Sequence, residues 1–220
     1  MKKIIFLVLI LSSVLSEAQN FEVSAGANLN RFFSYQSEES HFRKDFESDF
    51  GYSFGFGISG LTQKRFNPKF YLHYDHIEGY LYTGDGGLGG SYYTSADVER
   101  NEISIHAYLF NVTAIKKIDL CFGLSAGYSI HSVANGEKYS FNITQGSNSS
   151  TIDNDSVQIN KNWSFSFIGS LQYPININES ISLAPKYSFH LGLTNTFQYL
   201  ESSVTSMKHI AELVFIYKLK

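Results

Sequence analysis

The chain has 220 residues, a formal net charge of -3 at pH 7 and one cysteine, Cys121. Its 17 Lys and Arg residues form no cluster, which argues against a nucleic-acid partner, and a single cysteine excludes an intrachain disulfide. Aromatic residues make up 16% of the chain, whereas the mean hydropathy is only -0.12. This combination favours strands with one large apolar face and one small or polar face.

The N-terminus has the pattern of a secretory signal peptide. Two lysines precede an apolar run at residues 4–11, and small residues follow as far as Ala18. The run is much shorter than the roughly 20 residues of a membrane-spanning helix, and no later window supplies one. We predict that residues 1–18 are a signal peptide and that residues 19–220 form one exported domain. Gln19, in place of a cysteine, argues against a lipid anchor.

Alternation of large and small side chains predicts the strands. Aromatic and aliphatic residues alternate with Ser and Gly through residues 52–59, and a similar pattern runs through residues 118–131. The second segment is longer than a usual globular strand of about 5–6 residues and suits a tilted membrane crossing. The same reasoning predicts six further strands, at residues 20–32, 69–78, 100–110, 162–173, 180–193 and 207–219.

The strand number and the connection lengths together predict the fold class. We expect an all-β fold, an eight-stranded antiparallel up-and-down transmembrane β-barrel, because an even number of strands can close into a ring. Outer-membrane barrels have short periplasmic turns and longer external loops, and the connections here alternate in that way. The short ones are residues 61–68, 111–117 and 174–179; the long ones are 33–49, 79–99, 131–161 and 194–206. Both termini are therefore expected in the periplasm and the four long loops outside the cell. The alternative is a soluble, secreted β-sandwich or lipocalin-like barrel.

The two faces of the predicted strands have different expected roles. Eight strands enclose an interior that side chains can fill, so the small and polar face is expected to line a narrow lumen without an open pore. The large apolar face is then left for outer-membrane lipid, and aromatic residues near the strand ends are expected to form two girdles. We place Tyr52 and Trp163 in the outer girdle and Phe21, Phe70, Tyr173 and Tyr217 in the periplasmic girdle.

Three segments resemble the PorT-like branch of the outer-membrane β-barrel domain families of Gram-negative bacteria. They are residues 101–109 (NEISIHAYL), 120–128 (LCFGLSAGY) and 181–195 (ISLAPKYSFHLGLTN). The resemblance implies a barrel that covers nearly all of the mature chain, but it implies no particular function. Ser104 replaces the usual Pro, Lys186 the Arg and His190 a Gly, and these departures argue against identifying the chain with the secretion-system component that gives the branch its name.

Polar and charged residues on the inward face are the candidate site residues. Buried charges are costly unless they are paired, so we predict a lumenal ion pair between Lys186 and Glu212, near diagonal neighbours, with Ser188 and His190 nearby. The full inward set is Glu22, Asn28, His73, Asp75, Glu102, His106, Asp119, Lys186, His190 and Glu212. We expect this set to be a structural network rather than a proton or ion pathway.

Two chemical alternatives were weighed for the same residues. His73, Asp75, Glu102 and His106 are of the types that bind zinc, but they lack a fixed-spacing motif, so we predict no metal and no cofactor. Ser188 with His190 is the only pair that suggests a nucleophile and base, and we predict that the protein is not an enzyme. Cys121 is expected to be an inert, inward-facing thiol.

Binding, if present, is expected at the loop tips, because recognition concentrates on loops carried by a rigid scaffold. Residues 84–90 are glycine-rich but lack a phosphate-loop ending, and they are predicted to be a flexible external loop. Residues 38–49 are predicted to form a solvated loop face, and residues 142–154 are rich in Asn, Ser and Thr. The leading hypothesis is a non-enzymatic barrel with a structural or surface-interaction role. An accessory component of a protein-secretion or transport system and a lipid-modifying outer-membrane enzyme are the alternatives. Expected partners are outer-membrane lipids and other envelope or secretion proteins, and the barrel is expected to be a monomer.

Overall fold

The computed structural model describes residues 19–34, 43–60, 68–87, 90–114, 118–152, 163–194, 197–199 and 202–219. Within them the chain forms strands β1 (Asn20–Ser34), β2 (Arg43–Ser59), β3 (Lys69–Gly87), β4 (Gly90–Ala114), β5 (Ile118–Asn142), β6 (Gly146–Ile152), β7 (Trp163–Gln172), β8 (Ile175–Asn176), β9 (Ile181–Gly192), β10 (Phe197–Tyr199) and β11 (Ser202–Lys218). No helix in these ranges is long and apolar enough to cross a membrane. The predicted signal peptide, residues 1–18, lies outside the described residues.

Eight strands close into a ring in the order β1, β2, β3, β4, β5, β7, β9 and β11, and β11 pairs again with β1. Every neighbouring pair is antiparallel, which confirms the predicted eight-stranded barrel. The closing ladder runs from the pair Asn20 and Lys218 to the pair Ser34 and Val204 without a shift. Asn20 and Lys218 therefore lie at one end of the barrel, which we call the terminal end; the opposite end is the hairpin end.

Side chains divide between lumen and wall with the period of two that a strand imposes. On β2, Ser53 is fully buried whereas Phe54 and Phe56 are 49% and 56% exposed. Such large exposed apolar residues recur around the barrel and form a belt that we call the apolar band. It includes Phe54, Phe56, Leu72, Ile103, Ile105, Phe122, Leu124, Phe165, Phe167, Leu213 and Phe215, each 40–58% exposed. The volume inside the ring is filled by polar side chains together with a few apolar ones.

The strands continue much further toward the hairpin end than the sequence analysis predicted. The predicted loop at residues 79–99 is wrong, since β3 and β4 stay paired from Gly79 and Val98 to Gly87 and Gly90. The predicted loop at 131–161 is wrong in part, since β5 continues to Asn142. Backbone pairing needs no apolar face once the strand has left the apolar band, so the contrast between large and small side chains disappears while the ladder persists.

Other stretches predicted to be loops or loop tips also contain strand. Residues 146–152 form β6, which follows a turn ending at Gly146 with a φ of 79°, a value that favours glycine. Arg43 to Asp49 belong to β2, while residues 38–42 lie outside the described residues. Residues 84–87 and 90 belong to the hairpin of β3 and β4 rather than to a loop. We call the hairpin-end parts of β2, β3, β4 and β5, together with β6, the extended sheet.

Candidate functional site

The lumen near the terminal end contains buried charges with polar partners. Glu22 is 1% exposed and accepts a hydrogen bond from the hydroxyl of Tyr71. Lys69 Nζ donates to Gln172 Oε1 at 3.0 Å and lies 3.7 Å from the Asp119 carboxylate. Because β1, β3, β5 and β7 all contribute to these contacts, the layer joins strands that are not neighbours in the sheet.

The middle of the lumen contains the ion pair between Lys186 and Glu212, whose charged atoms are 3.1 Å apart. The two residues stand directly opposite each other on β9 and β11, rather than diagonally. Ser24 Oγ donates to Glu212 at 2.8 Å. Lys186 Nζ also lies over the rings of Tyr71 and Tyr108, at 4.2 and 5.3 Å from their centroids, an arrangement that attracts a cation. Lys186 and Glu212 are 4% and 6% exposed, so their charges have little access to water.

Three histidines lie side by side next to this ion pair, on its hairpin-end side. The rings of His73 and His106 stack with their centroids 4.2 Å apart, and His190 meets His106 edge-on at 4.7 Å. Each histidine is 1% exposed. The four residues weighed as zinc ligands are not together, because Asp75 and Glu102 form ion pairs with Lys208 of β11. Among the described residues, no group of three His, Cys, Asp or Glu side chains has the geometry to hold a metal ion.

Lys208 organises the lumen toward the hairpin end. Its Nζ donates to Asp75 Oδ2 at 2.9 Å and to Glu102 Oε1 at 3.2 Å. Glu102 also accepts from Arg100 at 3.0 Å and from Ser164 Oγ at 2.7 Å. Lys208 stands on β11 and Glu102 on β4, which are not adjacent in the ring, so this ion pair crosses the lumen.

The candidate nucleophile and base do not form a pair. Ser188 Oγ lies 3.5 Å from the hydroxyl of Tyr108, and neither ring nitrogen of His190 has a hydrogen-bond partner within the described part of the chain. A closer contact exists between Ser104 Oγ and His106 Nε2, at 2.8 Å. Both of these residues are buried, and among the described residues no group forms a hydrogen bond with the other ring nitrogen of His106, so within this part of the chain the pair has no third member of the kind that activates a nucleophile.

Tyr71, Tyr108, Arg100 and Lys208 are lumenal residues that the sequence analysis did not assign. Tyr71, Tyr108 and Arg100 are 1–2% exposed, and Lys208 is 4% exposed. The period of two contained the signal, since Lys208 lies four residues before Glu212, which the sequence analysis assigned to the inward face. The signal was missed because large aromatic residues and strand-end cations were not expected inside. Cys121 is also inside, where it packs with Tyr71, Tyr108 and another buried apolar side chain.

The predicted girdle residues lie on the outer wall. Tyr52 and Trp163 are 45% and 58% exposed, and Phe21, Tyr173 and Tyr217 are 38%, 44% and 43% exposed. Phe70, the sixth predicted member, is partly exposed. Phe21 stands opposite Tyr217 where β1 meets β11, close to the terminal end. The positions of these residues fit girdles at the two borders of the apolar band, and that role stays a prediction.

A polar cluster lies on the outer wall just beyond the apolar band, toward the hairpin end. His76 stacks on Tyr52 with a centroid distance of 4.7 Å. Its Nδ1 is 2.7 Å from Asn101 Oδ1 and its Nε2 is 2.8 Å from Glu78 Oε1. Burial by itself lowers the pKa of His76, but the hydrogen bonds to Asn101 and Glu78, together with the nearby carboxylates, outweigh it, and the pKa is raised above 6.5.

Tyrosines form a row on the wall face of the extended sheet. Tyr82 stacks on Tyr93 at 6.2 Å, and Tyr93 stacks on Tyr139 at 5.0 Å. These three rings cross β3, β4 and β5, and aromatic pairs of this kind stabilise neighbouring strands. On the opposite face of the same sheet, Lys138 lies over the ring of Tyr92 at 5.4 Å.

The whole arrangement is a small closed barrel with a filled, ion-paired lumen and a sheet that rises beyond its apolar band. No protein-family model and no curated protein matches the chain. Among solved structures, Ail, the attachment invasion locus protein of Yersinia pestis, is similar at 10% identity, a TM-score of 0.40, and coverage of 91% of this chain and 99% of Ail.

Two further solved structures are similar to the same extent. Neisserial surface protein A has 10% identity and a TM-score of 0.40, with 90% of this chain and 97% of that protein covered. The outer membrane protein OprG from Pseudomonas aeruginosa has 9% identity and a TM-score of 0.40, with 92% of this chain and 97% of OprG covered. The eight-stranded fold itself is established by the strand pairing of this chain.

Proposed function

We propose that this protein is a small β-barrel of the Gram-negative outer membrane with a structural or surface-interaction role and no enzymatic activity. The observation that carries the proposal is the outward apolar band around a lumen full of paired charges. A soluble barrel of this size places its large apolar residues inside, because that is where they leave water. Here the distribution is reversed, as lipid requires.

The closed ring supports membrane insertion for a second reason. Lipid offers no hydrogen bonds to a free strand edge, so a spanning sheet has to close on itself. The first strand, β1, pairs with the last strand, β11, and so closes the ring. By the usual arrangement of short periplasmic turns and long external segments, we place the termini in the periplasm and the extended sheet outside the cell.

The contents of the lumen support a role without transport through the barrel. Arg100, Tyr71 and Tyr108 are each buried to 2% exposure or less, and charged pairs cross the interior. Side chains of this size leave no continuous water path along an eight-stranded barrel. Membership of the PorT-like branch is a finer proposal, which rests on the three sequence segments alone.

Location and orientation are tested together by labelling two new cysteines on intact cells. Ser149→Cys places a thiol on β6 at the hairpin end, and Glu179→Cys places one in the turn before β9; both positions are exposed. The native Cys121 is 1% exposed, so the unmodified chain is the control. A membrane-impermeant maleimide should label Ser149→Cys on intact cells and Glu179→Cys only after the outer membrane is permeabilised.

The opposite labelling pattern, or a protein that fractionates as a soluble periplasmic species, would contradict the proposal. Stoichiometric co-purification of secretion proteins from detergent extracts would replace the structural role by the accessory role. Altered lipid A or phospholipid profiles in a deletion strain would instead favour a lipid-modifying enzyme.

A further inference from the structure

β6 is an edge strand of the extended sheet. Its pairing with β5 runs from Gly136 and Ile152 to Asn142 and Gly146 without a register shift. In the part of the chain that the structure describes, β5 is its sole partner. Each of residues 146–151 is exposed. In an edge strand, alternate N–H and C=O groups point away from the sheet and can accept a further strand.

The sequence of β6 contains none of the usual features that prevent an edge from pairing. Natural edge strands are protected by charged side chains, by proline or by a bulge. The β6 sequence, GSNSSTI, has no charged residue and no proline, and its ladder has no bulge. By contrast, the ladders between β2 and β3 and between β4 and β5 each contain a register shift.

The wall face of the extended sheet is acidic, and Glu137 on this face stands opposite Thr151 of β6. Glu78 and Glu99 stand opposite each other on β3 and β4, with side chains 45% and 48% exposed. Asp97 and Glu137 are also exposed, and they occupy the same face as the tyrosine row. An added segment is therefore attracted if it has basic side chains on this face, since electrostatic complementarity speeds and orients association.

A second copy of this chain is a poor occupant of the edge. Two copies in one membrane are related by a rotation about the membrane normal. With strands tilted by about 35–45°, that rotation makes the two β6 strands cross at twice their tilt, which is too steep for a shared ladder. A free extended segment has no such constraint.

We propose that the free edge of β6 binds an extended, basic polypeptide segment, which adds to the extended sheet as a further strand. The proposal deepens the surface-interaction role and rests on it, because the edge is available only if the hairpin end faces the cell exterior. Main-chain hydrogen bonds to β6 supply the affinity, and the acidic face favours lysine or arginine at alternate positions of the segment. Ser149 stands opposite Tyr139, so β6 places a small side chain next to that ring and does not continue the tyrosine row.

The test uses the mature chain folded in lipid nanodiscs and a synthetic eight-residue peptide of alternating Thr and Lys as the probe. Amide resonances and hydrogen exchange of the protein are measured by NMR during titration. We expect shifts centred on residues 146–152, with exchange slowed at alternate amides, because only alternate N–H groups face the free edge. Two versions of the peptide, one N-methylated at every Thr and the other at every Lys, should differ: the one whose methyl groups face β6 should bind at least about fivefold more weakly, because each hydrogen bond contributes about 1 kcal/mol.

Two protein variants separate strand addition from simple charge attraction. Neighbouring N–H groups of an edge strand point in opposite directions, and proline has no N–H group. One of the two variants Asn148→Pro and Ser149→Pro therefore removes a donor of the free edge, and the other removes a hydrogen bond to β5. The variant that loses the free-edge donor should bind the probe about fivefold more weakly, while its β5 amides stay protected. A peptide of alternating Thr and Glu should bind more weakly than the basic probe.

Unchanged binding of both N-methylated peptides, or probe affinity unchanged in both proline variants, would overturn strand addition. Failure of every peptide to bind a correctly inserted barrel would overturn the binding site and leave the outer-membrane assignment intact. A chain that fails to insert into nanodiscs as a folded barrel would contradict the proposed function itself.

Discussion

Removing the carboxylate of Glu212 tests whether the lumenal ion pairs hold the barrel together. Glu212→Ala leaves the ammonium of Lys186 buried over the Tyr71 and Tyr108 rings, at 4.2 and 5.3 Å, without the carboxylate that lies 3.1 Å from it. It also removes the acceptor of the Ser24 hydroxyl. Breaking a buried ion pair by deleting one partner costs about 3–5 kcal/mol because the other charge stays uncompensated. We expect the free energy of unfolding to fall by about that amount.

The matched control replaces both partners by apolar side chains of similar size. Lys186→Met with Glu212→Leu removes both charges together, and such replacements are often neutral or stabilising. We expect the double variant to be at least about 2 kcal/mol more stable than Glu212→Ala, because no unpaired charge is left behind. The two residues are directly opposite on β9 and β11, so the new side chains meet at the same place in the lumen.

The assay is unfolding in guanidinium of the barrel folded in phospholipid vesicles, followed by fluorescence. Trp163 is the sole tryptophan of the chain and is 58% exposed on the wall, so its emission reports transfer from lipid to water. Linear extrapolation gives the free energy in the absence of denaturant. A Glu212→Ala value within about 0.5 kcal/mol of the unmodified protein, or a double variant as unstable as the single one, would refute the reasoning.

Three further outcomes are expected. Gly57→Ala should lower the free energy of unfolding by about 1–3 kcal/mol, because a Cβ there would lie 2.3 Å from the Tyr71 ring. The control is Gly169→Ala, where the atom nearest to the new Cβ would be 3.5 Å away, and equal losses in both variants would count against the packing argument. His76 has a raised pKa, so its favourable contribution to stability is fully present below its unfolded-state pKa and is lost as the pH rises through its folded-state pKa. NMR titration should give a lower His76 pKa in Glu78→Gln than in the unmodified protein, and an unchanged pKa would count against the hydrogen bond between His76 and Glu78. Planar bilayers containing the protein should carry no steady current, and a stable open channel would disprove the filled lumen.

The parts of the fold that alternate between large and small side chains could be predicted from sequence. Residues 52–59 and 118–131 lie within β2 and β5 as expected, because lipid on one side and a narrow lumen on the other require opposite side-chain types. Beyond the apolar band that requirement ends. β4 and β5 each continue to 25 residues, and their polar extensions lack the alternation of large apolar and small side chains by which the other strands were recognised.

The lumenal contacts were predictable to a different extent. Lys186 and Glu212 are neighbours across one ladder, so counting back from their hairpin brought them near each other, with a small error in register. The pairing of Lys208 with Asp75 and Glu102 joins strands on opposite sides of the lumen. Such contacts depend on how the ring closes, and a single sequence contains no local signal for them.

Migration on a gel with and without boiling tests the central claim most directly, using protein extracted from isolated outer membranes. A closed barrel stays folded in cold detergent and is compact, whereas boiling opens it into an extended chain. We expect the unboiled protein to run at a different position from the boiled form and to be found in the outer-membrane fraction. A protein that migrates identically in both states, or that is found soluble in the periplasm, would contradict a closed barrel embedded in the outer membrane.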